Sequence, residues 1–149
     1  VGRTFSKAFG LAGLRIGCLV GAPDALDPVR AVIPVYSVNI AGVVAVQAAL
    51  ADPAHLGDYL RQVQESKALL YAACDRVGLE YWKSDANFVL LRAGDRLHAL
   101  VKGAADRGIY IRDRSSEPGC AGCVRIGTGI VEHTRRFIAA MEEVLCAAR

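Results

Sequence analysis

The clearest pattern of apolar and polar positions lies along residues 53–77. Apolar residues recur there every three, four or seven positions: Leu56, Leu60, Val63, Leu70, Cys74 and Val77. This spacing gives a helix one apolar face, while charged and amide side chains occupy the other faces. Asp52 suits the N-cap, Pro53 the first helical position and Gly78 the C-terminal stop. The pattern predicts one long amphipathic helix over residues 53–77, long enough to link two domains.

The pattern before this helix is that of an α/β domain. A glycine-punctuated apolar run at residues 16–21 is typical of a strand covered on both faces in a parallel sheet. Pro23 and Asp24 open a helix, because proline and acidic residues favour the first helical turn. Residues 40–51 are rich in alanine and valine and carry few charges, which predicts a helix buried on most sides.

After residue 78, short strands alternate with helices. Period-two alternation and short apolar runs predict four strands, at residues 79–82, 88–91, 109–111 and 123–126. An apolar stripe followed by Gly108 predicts a helix at residues 95–107. A last helix is predicted from Val131 to the C-terminus, with an inward face of Phe137, Ile138, Met141, Val144 and Leu145. This succession favours a small α+β domain.

Lys7 stands among small and aromatic residues, and Arg15 follows eight positions later. Neighbours of this kind favour the neutral amine, because burial disfavours the ammonium form of a lysine. A neutral amine can attack an aldehyde carbon and hold an aldehyde cofactor as a Schiff base. The hydroxyls of Thr4 and Ser6 and the guanidinium of Arg15 are donors that can bind a phosphate group. The residues alone leave open a surface loop with an ordinary solvated lysine.

The run Thr-Phe-Ser-Lys-Ala-Phe-Gly-Leu-Ala-Gly-Leu-Arg-Ile-Gly at residues 4–17 closely resembles the lysine segment of fold-type I, pyridoxal-phosphate-dependent aminotransferases. It is most similar to the histidinol-phosphate aminotransferase branch, and a weaker resemblance extends to the C-terminus. The resemblance implies that pyridoxal 5'-phosphate is the cofactor and that Lys7 binds its aldehyde and acts in catalysis. It also implies that Thr4, Ser6 and Arg15 hold the cofactor phosphate.

The same resemblance implies the C-terminal part of the fold-type I α/β fold. Residues 1–52 would complete the large cofactor-binding domain, residues 53–77 would be the linking helix, and residues 78–149 would form the small domain. We expect an incomplete chain, because it starts at Val1 rather than methionine and the lysine motif begins almost at once. Family members are considerably longer, and the upstream part would carry the groups that pair with the pyridine nitrogen and stack on the ring.

Two arginines are candidates for substrate binding. Arg125 interrupts the otherwise apolar residues 123–127, where a guanidinium is costly unless an anion pairs with it. That anion could be an internal carboxylate or a substrate carboxylate, which a guanidinium matches bidentately. The resemblance implies that Arg125 binds the amino acid α-carboxylate and that Arg112 meets the distal phosphate of the substrate. For Arg112 the alternative is a salt bridge to Asp113 or Glu117.

Tyr36 and Asn39 are further candidates for the substrate site. They lie at residues 34–39, an extended segment that is similar to a Pro-aromatic-x-Val-Asn stretch of the family. In the family this stretch lies near the subunit boundary and can reach the partner's active site, so a homodimer is expected. The alternatives are a packed tyrosine and a helix-capping asparagine, since asparagine is a preferred N-cap residue.

Composition limits the other function classes. The net charge is a modest +3 and the basic residues are scattered, so no nucleic-acid partner is expected. No apolar run approaches the roughly eighteen residues of a membrane span and no signal pattern opens the chain, so a cytoplasmic protein without a membrane partner is the default. The five cysteines include Cys120-Ala121-Gly122-Cys123 but no second ligand pair, so no metal is expected and a structural role is favoured.

One segment departs from the family pattern. Members have a hydroxyl residue at the N-cap of the last helix, whereas this chain has Ile130. Because hydroxyl side chains satisfy the first N–H groups of a helix, we expect α-helix formation there to begin later or less firmly.

The resemblance as a whole implies transamination of histidinol phosphate with 2-oxoglutarate, which gives imidazole acetol phosphate and glutamate in histidine biosynthesis. An aromatic amino acid aminotransferase and a threonine-phosphate decarboxylase would share Lys7, Arg15 and Arg125, so both stay open. A non-catalytic fragment or interaction module is an alternative of another class, because strands of an incomplete sheet leave open edges that favour association.

Overall fold

The computed structural model describes residues 1–147. The chain divides into two compact units, residues 1–58 and the remainder from Tyr59 onwards. The helices are α1 (Pro23–Arg30), α2 (Ile40–Ala51), α3 (Pro53–Val77), α4 (Leu97–Ala105) and α5 (Val131–Ala147), with 3₁₀ turns at Ala12–Leu14 and Gly94–Arg96. The strands are β1 (Gly2–Thr4), β2 (Gly17–Leu19), β3 (Glu80–Trp82), β4 (Phe88–Arg92), β5 (Arg112–Asp113) and β6 (Cys123–Gly127).

The first unit contains a two-stranded antiparallel ribbon. β1 and β2 pair with Thr4 opposite Gly17, and all residues of both strands are exposed. The prediction of a buried strand in a parallel sheet at residues 16–21 is therefore wrong, because the partner strand is antiparallel and equally exposed. The ribbon needs glycine at position 17, since a Cβ there would lie 2.8 Å from the carbonyl oxygen of Arg3.

Helix α2 forms over the predicted residues, but it is not buried on most sides as predicted. Of its 12 residues only Gly42 is buried, and Ile40 and Leu50 are exposed. An alanine- and valine-rich sequence predicts that a helix forms. It does not predict which face of the helix is buried, because apolar residues lie on every face. Within residues 1–147 no single helix is long and apolar enough to cross a bilayer, and α2 and α3 pass that test only as a pair bent by 80°.

The second unit is built on a four-stranded antiparallel sheet in the order β3-β4-β6-β5. In the central β4–β6 pair, Leu90 lies opposite Arg125 and Leu91 opposite Val124. One face of the sheet is buried against α3, α4 and α5. The core formed there includes Leu70, Cys74, Val77, Val89, Leu91, Leu100, Val124, Ile126, Phe137 and Met141.

Two predicted elements of this unit differ from the structure. The helix predicted at residues 95–107 forms as a 3₁₀ turn followed by the shorter α4. The strand predicted at residues 109–111 is absent, and the ladder begins at Arg112 instead. The backbone N–H of Ile109 donates to the carbonyl of Ala104 at 2.9 Å, so this residue completes the end of α4 rather than a strand. Ile109 is nevertheless an apolar contact of the core, because its side chain packs against it.

Helix α5 begins at Val131 as the apolar pattern predicts, so the expectation of a later start is wrong. The missing hydroxyl cap is replaced from α3: the side-chain oxygen of Gln62 accepts a hydrogen bond from the Val131 N–H at 3.4 Å. The prediction that this helix reaches the C-terminus concerns residues 148–149, which lie outside the described residues.

Helix α3 is observed over the predicted residues. Of its predicted apolar face, Val63, Leu70, Cys74 and Val77 are buried, whereas Leu60 is 47% exposed. The division between the two compact units falls inside this helix, after Asp58. The domain limits at residues 52 and 78 that the sequence suggested stay a prediction.

Two buried hydroxyls of the second unit differ in their hydrogen bonding. Ser66 Oγ donates to the carbonyl oxygen of Gly129 at 3.0 Å. Thr128 is 3% exposed, and its Oγ1 has no hydrogen-bond partner among the described residues. A buried hydroxyl without a partner costs roughly 1–3 kcal/mol of stability.

We predict that Thr128→Val raises the free energy of unfolding by about 1 kcal/mol, because valine keeps the shape and removes the unpaired hydroxyl. Ser66→Ala is the matched control and should lower it by about 1 kcal/mol, because the Gly129 carbonyl loses its donor. Urea denaturation followed by circular dichroism measures both changes. A Thr128→Val variant less stable than the parent would contradict the absence of a partner.

Candidate active site

The loop that carries Lys7 is closed by the aromatic residue two positions before it. Phe5 is buried; its N–H donates to the carbonyl of Ile16 at 3.3 Å and its carbonyl accepts from Leu11 at 3.0 Å. Its ring contacts that of Phe9, with centroids 5.1 Å apart. These contacts fix both ends of the loop, and Lys7 lies at its tip.

Lys7 itself is exposed in the first unit. The sequence predicted a lysine desolvated by its small and aromatic neighbours, and the structure contradicts that expectation. The reason is geometric: the rings of Phe5 and Phe9 pack on each other and leave the lysine side chain uncovered.

The two hydroxyl residues of the loop lie on either side of Phe5. Thr4 Oγ1 accepts a hydrogen bond from the N–H of Ser6 at 3.1 Å, which tightens the turn into the loop. An accepting hydroxyl keeps its own hydrogen for donation. Thr4 is exposed and Ser6 is half-buried, so both can reach an anion bound outside the loop.

Arg15 adopts a backbone conformation that is unfavourable for its residue type. Its φ of 50° and ψ of 46° lie in the left-handed region, and it is the only non-glycine residue with positive φ among residues 1–147. The guanidinium bends back, and its Nη1 donates to the carbonyl of Ala12 at 2.8 Å. Strain of this kind typically marks a functional position.

Asn39 caps α2 and also holds the segment that precedes Arg15. Its Oδ1 accepts from the Gly42 N–H at 2.7 Å, and its Nδ2 donates to the carbonyl of Leu14 at 3.0 Å. Gly42 permits this arrangement, because a Cβ there would lie 3.2 Å from Asn39 Nδ2. Asn39 is therefore the N-cap of α2, as the capping alternative predicted. Its hydrogen bond to the Leu14 carbonyl could not be predicted from sequence.

Tyr36, the other candidate from the same segment, is 96% exposed. Val32, Val35 and Val38 around it are exposed as well. The exposure of Tyr36 contradicts the packed-tyrosine alternative, while hydrogen bonds elsewhere in the first unit link Thr4 to Ser6 and Asn39 to the residue before Arg15.

A cavity of about 650 Å³ lies between the β1–β2 ribbon and α1. Thr4 lines it together with apolar residues such as Leu26 and Ile33. Ser6, Lys7 and Arg15 do not line it, so Thr4 is the one candidate phosphate donor among its lining residues.

The two predicted substrate-binding arginines lie directly opposite each other in the second unit. Arg112 of β5 pairs with Arg125 of β6 in the antiparallel register, so both side chains point to the same face of the sheet. Like charges in opposed positions destabilise a sheet. An anion bound to both guanidinium groups would offset this repulsion.

The carboxylates that could have neutralised Arg112 are engaged elsewhere. Asp113 accepts from the hydroxyl and the N–H of Ser115, and these bonds hold the pKa of Asp113 below its ordinary value. Glu117 forms an ion pair with Arg114 at 3.0 Å. The structure therefore contradicts the salt-bridge alternative for Arg112.

Arg125 is half-buried, and its guanidinium lies 5.1 Å from the ring centre of Phe88. A guanidinium on an aromatic face gains a modest attraction and a fixed orientation. The sequence predicts Phe88 as part of a strand but does not reveal its contact with Arg125. The missed signal is that Phe88 shares a strand face with Leu90, the residue opposite Arg125. No carboxylate partner of Arg125 occurs among the described residues, so the internal ion pair is not observed.

The cysteines form no metal site in the described part of the chain. All five are free thiols, and residues 1–147 contain no group of three potential metal ligands.

Comparison with known proteins identifies the class. The model of the family "Aminotransferase class I and II" matches residues 1–141, and the chain belongs to this family. The predicted fold class is confirmed, since solved aminotransferases share the fold over nearly the whole chain.

Individual relatives are named histidinol-phosphate aminotransferase. The protein from Symbiobacterium thermophilum is 39% identical over 145 residues, which cover 97% of this chain and 40% of that protein. The protein from Cupriavidus pinatubonensis is 37% identical over 148 residues, covering 97% of this chain and 39% of that protein. The chain thus spans about two fifths of the length of these relatives.

Two solved structures show the fold. The histidinol-phosphate aminotransferase of Sinorhizobium meliloti, in complex with pyridoxal-5'-phosphate, has a TM-score of 0.83 and 31% identity, over 99% of this chain and 41% of that one. The L-threonine-O-3-phosphate decarboxylase of Porphyromonas gingivalis has a TM-score of 0.74 and 29% identity, over 97% of this chain and 46% of that one.

We predict that Arg15→Gly is more stable than Arg15→Ala by about 1 kcal/mol, because glycine adopts positive φ without strain. Both substitutions remove the guanidinium and its bond to Ala12, so their difference isolates the backbone conformation. Thermal and urea unfolding of the two variants measure it. Equal stability, or a more stable alanine variant, would show that the left-handed conformation carries no strain.

Proposed function

We propose that this chain carries the lysine and arginine groups of a pyridoxal-phosphate-dependent aminotransferase that acts on histidinol phosphate, with 2-oxoglutarate as the amino acceptor. The observation that carries the proposal is the Lys7 loop followed by a strained arginine at position 15. The relatives named histidinol-phosphate aminotransferase, at 32–39% identity, support the substrate.

The residues present fit a phosphorylated aldehyde cofactor. Thr4 and Ser6 offer hydroxyl donors, Arg15 offers the N–H groups that its bond to Ala12 leaves free, and Lys7 offers an exposed amine. Hydroxyl and guanidinium donors are the groups that bind phosphate dianions well. The solved Sinorhizobium meliloti relative, which contains pyridoxal-5'-phosphate, supports the same cofactor here.

When bound, pyridoxal phosphate would supply the aldehyde for the substrate amine and a ring that accepts the electron pair of the broken bond. Lys7 would hold the aldehyde carbon at rest. When its amine is free, Lys7 would remove the proton from the substrate α-carbon and return one later. Arg15 would fix the phosphate, so that the reacting atoms stay in place during both proton movements.

The opposed arginines would bind the anionic end of each substrate. Glutamate and 2-oxoglutarate carry carboxylates, whereas histidinol phosphate carries a phosphate. Arg125 would meet the anion in both cases, because Phe88 orients its guanidinium. Arg112 would add the second positive charge that a phosphate dianion needs.

A second candidate function is decarboxylation of threonine phosphate. The fold similarity to the Porphyromonas gingivalis decarboxylase favours it. Threonine phosphate carries both a phosphate and a carboxylate, so a preference for it over histidinol phosphate separates the two functions.

Self-association as a homodimer is part of the proposal. The exposed apolar side chains of the first unit, which include Val32, Val35, Tyr36 and Ile40, support it. Large exposed apolar patches on a protein surface mark sites of association. Sedimentation equilibrium of the chain tests this point.

We predict that added pyridoxal phosphate gives the chain a visible absorbance band, and that borohydride fixes the cofactor covalently on Lys7. Lys7→Ala should lose the covalent product completely, because no other amine occupies that position. The matched control is Lys83→Ala, which removes an exposed lysine outside the loop. Peptide mapping by mass spectrometry locates the product. A product on another lysine, or none in the parent chain, would overturn cofactor binding by this chain alone.

We predict that Arg125→Gln weakens binding of both histidinol phosphate and 2-oxoglutarate to the cofactor-loaded chain by about 10- to 100-fold, as loss of a charge-assisted bond implies. Arg112→Gln should weaken histidinol phosphate selectively, since the dianion needs the second charge. Calorimetry with each ligand measures the effects, and Arg114→Gln is the control because that arginine is paired with Glu117. Equal losses in all three variants would contradict these roles.

A further inference from the structure

The cysteines at positions 120 and 123 are the first and last residues of a tight turn. The Cys123 N–H donates to the Cys120 carbonyl at 2.9 Å, and Gly122 between them has a φ of +70°. This bond defines a β-turn, whose end residues have Cα atoms less than about 7 Å apart. A disulfide requires Cα atoms roughly 4.4–6.8 Å apart. The turn therefore brings the Cα atoms of the two cysteines within the distance that a disulfide spans.

The turn is held rigidly by its surroundings. The Gly122 carbonyl accepts from the N–H groups of Ala93 and Gly94 at 2.9 and 3.1 Å. A Cβ at Gly122 would lie 2.8 Å from the Gly94 Cα, so the two backbones are in close contact. The Cys123 carbonyl accepts from the Arg114 N–H at 2.9 Å. The spacing of the two cysteines is thus part of the fold, not a chance conformation of a free loop.

The two thiols differ in access, as the partners of a thiol–disulfide pair do. Cys120 is half-buried and reachable from solvent, whereas Cys123 is 0% exposed. The Cys123 Sγ lies 3.8 Å from the carbonyl oxygen of Ala121, so it is folded back over the turn. Burial raises the pKa of Cys123, while the Arg92 guanidinium opposes this rise and the neighbouring Cys120 adds to it. The mutual influence of the two thiols agrees with their closeness.

We propose that Cys120 and Cys123 form a reversible intramolecular disulfide by exchange with a low-molecular-weight disulfide such as glutathione disulfide. This pair is a modification site that the aminotransferase chemistry does not use, and the proposal does not rest on the proposed function. The sequence favoured a structural role for both cysteines, and the geometry of the turn adds the redox role.

The exchange balances in two steps. The Cys120 thiolate, formed by loss of its proton, attacks one sulfur of glutathione disulfide; a new sulfur–sulfur bond forms and one glutathione thiolate leaves. The Cys123 thiolate then attacks the Cys120 sulfur, the mixed disulfide breaks, and the second glutathione thiolate leaves. The leaving thiolates take up the two protons. The two cysteines are oxidised by two electrons, and one glutathione disulfide is reduced to two glutathiones.

The cysteine pair lies at the start of β6, the strand that carries Arg125. Cys123 is the first residue of β6 and lies opposite Arg92, and Arg125 follows two positions later on the same face. A disulfide would tie the start of β6 to the turn. Two cysteines at this spacing can also bind a metal, but the described residues offer no group of three metal ligands.

The test uses the full chain with the exposed cysteines removed, as the double variant Cys18→Ser, Cys146→Ser. It is incubated with excess glutathione disulfide, and the products are mapped by mass spectrometry before and after reduction. We expect loss of two hydrogens, located on a Cys120–Cys123 cross-link and reversed by dithiothreitol. Cys74 is the internal control: it is buried, burial raises its pKa to about 12, and it should stay reduced.

Two further variants in this background make each step visible. Cys123→Ala should accumulate a stable mixed disulfide between Cys120 and one glutathione, because no resolving thiol is present. Cys120→Ser should leave Cys123 reduced, because the buried thiol cannot meet the oxidant. A mixed disulfide that persists on Cys120 when Cys123 is present, or no reaction at Cys120, would overturn the proposal. Circular dichroism confirms that each variant is folded.

Discussion

The pairing of β4 with β6 is the constraint on which the second unit depends. Its register places Leu91 opposite Val124 and Leu90 opposite Arg125. Because side chains alternate between the faces of a strand, the same register buries Val124 and Ile126 in the core and turns Arg125 to the other face. A shift by one residue would bury the guanidinium and expose the core. The core and the face that carries Arg125 are therefore specified by one set of hydrogen bonds.

The first unit holds the loop that carries Lys7 in place without a large core. Phe5 is its buried anchor, and backbone hydrogen bonds to Ile16 and Leu11 close the loop around Lys7. Asn39 then ties the carbonyl before Arg15 to the start of α2. Contacts of this kind can hold Arg15 in its left-handed conformation, since strain persists only where the surroundings over-determine it.

A helix or strand could be predicted from the sequence where the residues that fix it are close together along the chain. The residue pattern was sufficient for α2, α3, β6 and the start of α5, because spacing and turn residues act locally. At residues 16–21 it predicted a strand correctly but not its exposed antiparallel pairing, which depends on the partner strand. It failed at residues 109–111, where Ile109 instead completes the end of α4. At the site, Lys7, Thr4, Ser6 and Arg15 came from a motif. The contact of Phe88 with Arg125 and the hydrogen bond that the Asn39 side-chain amide donates to the Leu14 carbonyl join residues far apart in sequence, so no local pattern reveals them.

The sequence by itself indicated the class of protein, the lysine loop and the two arginines through short motifs that resemble a known family. It also predicted the long helix, because the spacing of apolar residues is a local signal. Only the tertiary structure decided that Lys7 is exposed, that Arg112 and Arg125 oppose each other, and that Gln62 replaces the missing cap of α5. Exposure, cross-strand register and capping by a distant side chain depend on which segments meet. The contacts between segments form as the apolar side chains of each unit are buried, so no single position in the sequence encodes them.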